Sequence, residues 1–312
     1  LLDEFWKLDE NKDENWSGNK DLQTRYYDFM QSKDFVEGNA GNKPKDAREK
    51  TSGLVDIGLI DDGRKLSNAG KALLKITSEN DFSSDNQFQI AKDSYIYLKQ
   101  LLKTYYNVEG HTVRPFMVLI HLLDEFDYLT LDEYTYLLPL CIGQVETSEI
   151  IDGISQLRCR NISIDEIIVN RLMGMLNYKT ALDYFIDNEV TEELICEIGL
   201  NRKSRQYDKP YFKLYQALHR VFVLNDIDNL ISVYDATRDI KIGKWWRNYL
   251  FDTTSEKAIS NHPVAHLKTT LFNEVEDENT FKIAFFKIMH LFKAKATLSD
   301  YLDLNRRYIK TT

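Results

Sequence analysis

The sequence has little cysteine, proline or glycine, and each shortage excludes a class of protein. The three cysteines among 312 residues form no C-x-x-C pair, so neither a disulfide framework nor a cysteine zinc site is indicated. Five prolines and 13 glycines are too few for a turn-rich sandwich, a barrel or a collagen-like repeat. A mainly α-helical fold is therefore predicted.

Long hydrophobic runs are missing as well. No stretch approaches the ~18 uncharged apolar residues that a membrane span needs, and the acidic start LLDEFWKLDENKDE is unlike a signal or transit peptide. Scattered free cysteines fit a reducing compartment. We therefore expect a soluble, cytoplasmic protein with no membrane partner. Because the chain begins with Leu and stops in a basic helical pattern without a cap, we also expect it to be a fragment.

Several common enzyme motifs are absent. The sequence contains no G-x-x-x-x-G-K-[ST], G-x-G-x-x-G or G-x-S-x-G motif. His262 and His266 have the i, i+4 spacing of half a zinc site on one helix face, but no third ligand is indicated. We interpret them as surface or core histidines. What the chain does contain is 18 Tyr and 16 Phe within 43% apolar residues, enough for a folded core.

Charge is distributed unevenly around a net value of -9. Residues 121–199 carry 16 acidic and 4 basic side chains, residues 200–220 carry 1 and 6, and residues 282–310 carry 2 and 7. Charge acts within a Debye length of about 10 Å, so these local clusters matter more than the sum. The basic clusters are either solvated helix faces or a surface for DNA phosphates. The second interpretation selects Arg202, Lys203, Arg205, Lys209, Arg306, Arg307 and Lys310.

The pattern from Leu22 to Ile76 is helix, helix, hairpin, helix. Apolar residues at helical spacing predict the first helix, and Pro44 begins the second. The Asp62-Gly63 pair signals a tight turn, after which Arg64–Ser67 returns as a short strand. Asn68 is then expected to cap a final helix, Ala69–Ile76. This is the order of a winged helix, and the alternative is an unspecialised helical pair with a loop.

Further helices are predicted along the rest of the chain. Ser94–Tyr106 and Arg114–Phe126 are expected to be scaffold helices. Thr130 with Glu133 forms a capping box, which Thr147 or Ser148 repeats, so that a second helix-turn-helix is predicted. Ser299 is expected to cap a terminal basic helix. The helices show no fixed period, which excludes a solenoid of regular repeats.

The combination of these segments resembles a known family. The run KPKDAREKTSGLVDIGLIDDGRKLSNAGKALL, the YLKQLL helix, RPFMVLIHLL and the acidic helix-turn-helix ending in ISQLR are similar in order and spacing to the N-terminal DNA-recognition region of the AlwI-type IIS restriction and nicking endonucleases. The resemblance covers Leu22 to Arg158. The closing DYLDLNRRYIKTT also resembles the start of a later winged-helix unit in such enzymes.

This resemblance implies tandem winged-helix and helix-turn-helix subdomains with small β-wings, within a mainly α fold. Three segments are expected: a winged-helix subdomain with its scaffold helix (1–110), an acidic helical subdomain with the second helix-turn-helix (111–200), and a basic helical subdomain that ends at the start of a further winged helix (201–312). The resemblance also implies a separate nuclease domain, expected C-terminal to residue 312.

The resemblance places one helix, which opens at Lys45, in the major groove of DNA. It implies contacts from Lys43, Lys45, Arg48, Lys50 and Thr51, with Arg64 and Lys65 near phosphates at the wing tip. Arg48 has the planar fork that pairs with guanine O6 and N7. The alternative is that Asp46 and Glu49 neutralise these basic side chains on a solvated helix face.

The nuclease signature of such enzymes is missing from the chain. They cut with an Asp followed by Asp/Glu-x-Lys, because carboxylates must hold Mg²⁺ at the scissile phosphate. The nearest match is Asp239-Ile240-Lys241 preceded by Asp226 and Asp228, in a stretch that is predicted to be helical. We therefore expect no catalytic or metal-binding residue and no cofactor in this fragment, and Mg²⁺ in the full-length enzyme.

The function predicted from these features is sequence-specific recognition of duplex DNA as the targeting region of a type IIS restriction endonuclease. A winged-helix transcription regulator and a helical protein-protein interaction module that does not bind DNA are the alternatives. Double-stranded DNA is the expected partner. A second subunit or a methyltransferase is left open as a protein partner of the full system.

The basic cluster after residue 200 generates a first testable expectation. Changing Arg202 and Lys203 to Ala should weaken binding to specific and random DNA alike, because phosphate contacts carry no sequence information. The slope of log K against log salt should flatten by ~0.9 for each lost contact. Fluorescence anisotropy at several salt concentrations measures the slope. An unchanged slope would assign both residues to the solvated surface.

Overall fold

The computed structural model describes residues 1–108, 110–198, 205–262, 264–268 and 270–310, and the side chains of residues 205, 301 and 303–310 fall outside this description. The chain forms two compact units. Unit 1 is Leu1–Tyr128 with the end of the last helix from Asn305 on, and unit 2 is Leu129–Leu304. The three segments expected from the sequence stay a prediction.

Helices dominate the described residues, which confirms the predicted mainly α fold. In unit 1 they are α1 (Leu2–Trp6), α2 (Lys20–Ser32), α3 (Lys43–Asp56), α4 (Asn68–Glu79), α5 (Lys92–Lys103) and α6 (Pro115–Phe126). Between α5 and α6 lie two strands, β1 (Tyr106–Val108) and β2 (His111–Val113). They pair antiparallel with Val108 opposite His111.

Unit 2 is a series of shorter helices that ends in one long helix. They are α7 (Gln144–Arg158), α8 (Ile164–Gly174), α9 (Leu176–Asp187), α10 (Glu192–Glu197), α11 (Pro210–Phe222), α12 (Leu230–Ala236), α13 (Gly243–Leu250), α14 (Glu256–Asn261) and α15 (Glu278–Lys310). The stretch around the nearest nuclease match is helical only in part: the 3-10 turn Ile227–Asn229 and α12 confirm the prediction there, whereas residues 239–241 follow the end of α12.

Helices α2 and α3 form the first packed pair of unit 1. Asn19 and Asn42 cap them, each accepting a hydrogen bond from the backbone three residues on. The apolar faces meet over a buried core with the N-terminal segment, which contributes Phe5 and Trp16. Phe5 and Tyr26 contact edge to face at 5.0 Å between ring centroids. The two predicted helices are confirmed, with an N-terminal aromatic layer added to them.

The hairpin after α3 is shorter than predicted. Instead of a strand over Arg64–Ser67, a single antiparallel bridge joins Ile60 and Leu66. Ser67, not Asn68, caps α4, because its hydroxyl accepts from the Gly70 N–H. Gly70 is required here, since a Cβ would lie 2.1 Å from the Leu59 carbonyl oxygen.

The order helix, helix, hairpin, helix occurs a second time in unit 1. The sequence predicts a helix up to Tyr106, but α5 ends at Lys103 and the β1–β2 hairpin follows it. Gly110 allows the turn because its φ is +88°. Helix α6 begins at Pro115, as predicted. Elements α4, α5, β1–β2 and α6 thus repeat the order of α2, α3, the first hairpin and α4.

The capping box of unit 2 is confirmed at its first position and wrong at its second. Glu133 Oε2 accepts from the Thr130 N–H at 2.7 Å, and Thr130 Oγ1 accepts from the Glu133 N–H at 3.2 Å. Helix α7 instead begins at Gln144. Thr147 therefore lies inside its first turn and donates its hydroxyl to the Gly143 carbonyl.

Helix α15 supplies the aromatic core of unit 2. Phe281, Phe285 and Phe286 are fully buried, and Trp246 of α13 packs on Phe285 with ring centroids 5.7 Å apart. The prediction that Ser299 starts a new helix is wrong, because α15 is continuous from Glu278 to Lys310. The Ser299 hydroxyl lies 3.0 Å from the Tyr136 hydroxyl instead.

A buried ion pair stabilises the start of unit 2. Glu133 is 2% exposed, and Arg158 Nε donates to its Oε1 at 3.0 Å while Nη2 donates to its Oε2 at 3.0 Å. Burial alone would raise the pKa of Glu133. Hydrogen bonds from Arg158 and Thr130 outweigh that effect and lower the pKa below its ordinary value of 4.5.

Arg158→Met should destabilise the protein by about 3 kcal/mol at pH 7, because it leaves a buried carboxylate without its cation. The lowered pKa of Glu133 stabilises the fold above pH 4.5, and this contribution is lost as the pH falls. The difference between variant and parent should therefore persist down to pH 4.5 and shrink below it, as the pH falls through the lowered pKa of the folded state. Urea unfolding measures both effects, with Arg220→Met at an exposed position as the control. A difference that is constant with pH would contradict the assignment.

Candidate nucleic-acid interface

Two of the three lysines predicted on α3 have acidic partners. Lys43 Nζ lies 2.7 Å from Asp28 Oδ1, and Lys45 Nζ lies 3.4 Å from Glu49 Oε1. Lys50 is exposed and has no ion pair among the described residues. The basic side of α3 is therefore partly neutralised within unit 1, as the alternative of a solvated face requires for Lys45.

Arg48 is exposed and held from below by a buried amide. Its Nη1 donates to Gln23 Oε1 at 2.6 Å. Gln23 is buried, and its Nε2 donates to the Trp16 carbonyl at 3.0 Å. Because the Trp16 carbonyl fixes the NH₂ end of this amide, the oxygen end must point at Arg48. The guanidinium is thus positioned by α2 and keeps most of its donors for another group.

Arg64 joins the hairpin to α3 and to the N-terminal segment. Its φ is +63°, and its Nε donates to Thr51 Oγ1 at 2.9 Å. The Arg64 carbonyl accepts from Trp6 Nε1 at 2.8 Å, and its guanidinium lies over the Trp16 ring. Thr51 is 1% exposed, so its side chain holds Arg64 and has no surface for a direct base contact.

Lys65 also uses the N-terminal segment. Its Nζ lies 4.9 Å from the centroid of the Trp6 ring and 3.3 Å from the Lys12 carbonyl oxygen. The residue is exposed, so its ammonium group lies over the indole and still reaches solvent. The first hairpin therefore carries two basic side chains, Arg64 and Lys65, that already have partners within unit 1.

The basic residues predicted after position 200 are only partly described. Lys209 is exposed and pairs with Glu192 at 2.7 Å. Arg202 and Lys203 lie outside the described residues, as do the side chains of Arg205, Arg306, Arg307 and Lys310. Helix α11, which follows Lys209, exposes Lys213, Gln216 and Arg220 along one face. That face lines a groove of about 670 Å³ together with Glu189 and Glu278.

The three residues of the Asp239-Ile240-Lys241 match to the nuclease signature have separate surroundings in the fold. Asp239 is exposed and lies 3.5 Å from Lys213, Ile240 is buried, and Lys241 lies over the Tyr207 ring. His262 ends α14, so it does not share a helix face with His266, which pairs with Asp252 at 2.9 Å. Within the described ranges, no three His, Cys, Asp or Glu side chains form a group that could hold a metal ion.

The chain is similar to a known protein family. A family model described as AlwI restriction endonuclease matches residues 55–312. The chain belongs to the AlwI restriction endonuclease family. No curated protein and no solved structure matches it. Membership in the AlwI family supports a restriction enzyme, a nuclease, with a role in targeting or cleaving DNA.

The extent of the AlwI family match separates parts of unit 1. It begins at Val55, so both hairpins lie inside it and the predicted contacts Lys43–Thr51 lie before it. The Mg²⁺ expected for the full-length enzyme stays a prediction, and the described residues contain no group of three or more His, Cys, Asp or Glu side chains that could hold a metal ion. No described helix is both long and apolar enough to cross a membrane.

The sequence did not reveal the residues that hold the predicted DNA contacts of this AlwI-family chain in place. Trp6, Trp16 and Gln23 hold Arg64 and Arg48, yet none stands in a recognisable motif, because each acts through a contact distant in sequence. The β1–β2 hairpin did have a signal. Glu109-Gly110 is flanked by Tyr106, Val108, Thr112 and Val113, which is the pattern of two short strands joined by a tight turn.

Proposed function

We propose that this chain recognises a specific duplex DNA sequence as the targeting region of a type IIS restriction endonuclease, with α2, α3, the first hairpin and α4 acting as a winged helix. The observation that carries the proposal is Arg48, a surface guanidinium that a buried amide holds in one orientation. The family membership supports a role on DNA, and the order of the elements supports the winged helix.

A positioned guanidinium suits the reading of a guanine edge. Arginine has five N–H donors, of which Gln23 takes one. A bidentate pair with guanine O6 and N7 needs two parallel donors on a planar group whose orientation is set in advance. Lys50, exposed two residues further along α3, can meet a phosphate as a point charge.

Neutralisation within unit 1 limits which residues are proposed to bind phosphate. Lys43 and Lys45 have carboxylate partners at 2.7 and 3.4 Å, and these pairs must open before either lysine can contact DNA. Thr51, by contrast, is proposed to act on DNA only through Arg64, which it holds in place. The recognition surface is therefore proposed to consist of Arg48 and Lys50, with Arg64 and Lys65 on the wing.

The proposal is tested by changing Arg48 once the preferred site is known from selection on a randomised duplex pool. Arg48→Ala should lose about 1 to 3 kcal/mol of binding free energy on the selected site and relax preference at one base pair. Affinity for random duplex should change little. Arg48→Lys is the matched variant, because it keeps the charge and loses the fork, so it should lose specificity nearly as much.

Both variants remove the Arg48 guanidinium that donates to Gln23 Oε1. Thermal unfolding is the control that shows whether this loss lowers stability. If affinity falls equally on selected and random duplex, Arg48 is a phosphate contact. If the unaltered chain shows no preference in the pool, specific recognition itself is wrong.

Recognition should not need a metal ion. Neither a base-edge contact nor a phosphate contact from Arg48 or Lys50 requires one, so the chain should bind duplex equally well in EDTA and in Mg²⁺. Anisotropy in the two buffers measures this, and a supercoiled plasmid incubated with the chain and Mg²⁺ detects cleavage. Nicking that Asp239→Ala abolishes would contradict the assignment of recognition alone.

A further inference from the structure

The order helix, helix, hairpin, helix occurs twice in unit 1. The β1–β2 hairpin has the same position in the second occurrence that the first hairpin has in the first occurrence. Three residues of its flanks are exposed: Lys103 at the end of α5, Tyr105, which is 59% exposed, and Arg114 after β2. Hydrogen bonding keeps it a hairpin, with Tyr106 opposite Val113 and Thr112 Oγ1 donating to Asn107 Oδ1 at 3.0 Å. Val113 is buried and anchors the base of the ribbon.

Among the residues that the structure describes, the cations of this hairpin differ from those of the first hairpin in having no side-chain partner. Arg64 and Lys65 are occupied by Thr51, by carbonyl groups and by indole rings. Among the described residues, neither Lys103 nor Arg114 has a side-chain hydrogen bond or an ion pair. A cation without a partner can bind an anion without first breaking an internal contact, so less of its interaction energy is lost.

Carboxylates are sparse near these two cations along the chain. The flanking helices carry Asp93 at the start of α5 and Asp124 and Glu125 near the end of α6. Each is at least ten residues away, roughly 15 Å along a helix, which exceeds the Debye length of about 10 Å. Between Lys103 and Arg114 the sequence has one acidic residue, Glu109.

We propose that the β1–β2 hairpin is a second DNA-contacting element, in which Lys103 and Arg114 bind phosphates of a duplex and Tyr105 donates its hydroxyl to the same backbone. The inference rests on the proposed function and adds to it a second surface, built on other residues than α3. Lysine, arginine and tyrosine are among the side chains that contact the DNA backbone, and an exposed ribbon can lie along a groove. Such contacts strengthen binding without reading bases.

The test compares two double variants with the same loss of charge. Lys103→Ala with Arg114→Ala should flatten the slope of log K against log salt by about 1.8, at ~0.9 for each lost phosphate contact. Affinity should fall on selected and random duplex alike, and the preferred sequence should stay the same. Lys20→Ala with Lys71→Ala is the control, because both lysines are exposed and lack ion pairs among the described residues of unit 1.

The outcomes separate the inference from the proposed function. An unchanged slope, or an equal flattening in the control, would overturn the hairpin contact and leave recognition by α3 standing. No salt-dependent binding by the unaltered chain would overturn both. Circular dichroism shows whether the double variant is folded.

A crosslink provides a measurement that does not depend on removing charge. Benzoylphenylalanine in place of Tyr105 should crosslink to duplex DNA under ultraviolet light, whereas the same group in place of the exposed Tyr184 of unit 2 should crosslink less. Equal yields at the two positions would count against the hairpin.

Discussion

The arrangement of the candidate interface depends on the contacts of one residue, Arg64. Its positive φ turns the chain, its Nε reaches Thr51 under α3, and its carbonyl accepts from the indole of Trp6. Three segments that are distant in sequence are thereby fixed to one another. Since Thr51 lies one helical turn beyond Ala47, which is buried against α2, the same contacts also set which face of α3 is outward. Arg48 is exposed as a consequence.

Aromatic packing holds unit 2 together, whereas the polar contacts of Arg64 connect the segments of unit 1. The phenylalanines of α15 meet Tyr215 of α11 and Trp246 of α13 at ring-centroid distances of 5 to 6 Å, a geometry that adds to the free energy of burial. The one described ion pair with an almost fully buried carboxylate, Glu133 with Arg158, secures the segment before α7. The outer face of α11 is left free to carry Lys213, Gln216 and Arg220.

Local charge balance determines which basic residues are available for DNA. A net charge of -9 says little, because partners within a few ångströms decide whether a lysine is free. Lys43 has a carboxylate partner, whereas Lys50 and Lys103 have none among the described residues. Basic residues in a sequence are therefore a poor guide to a phosphate surface until their partners are known, which is why the phosphate contacts proposed for Lys103 and Arg114 emerge only from the structure.

The sequence by itself determined the helices and many of their ends. Helical periodicity, prolines at first turns and the Thr130–Glu133 box are local signals, so α2, α3, α6 and that cap could be predicted. Single-residue choices between neighbouring polar groups, such as Ser67 or Asn68, could not, because they depend on which hydroxyl meets a free N–H. Only the tertiary structure decided that Thr51 is buried, that Gln23 aims Arg48 and that Ser299 lies within a continuous helix. Those outcomes come from contacts between residues up to 163 positions apart, for which local sequence carries no signal.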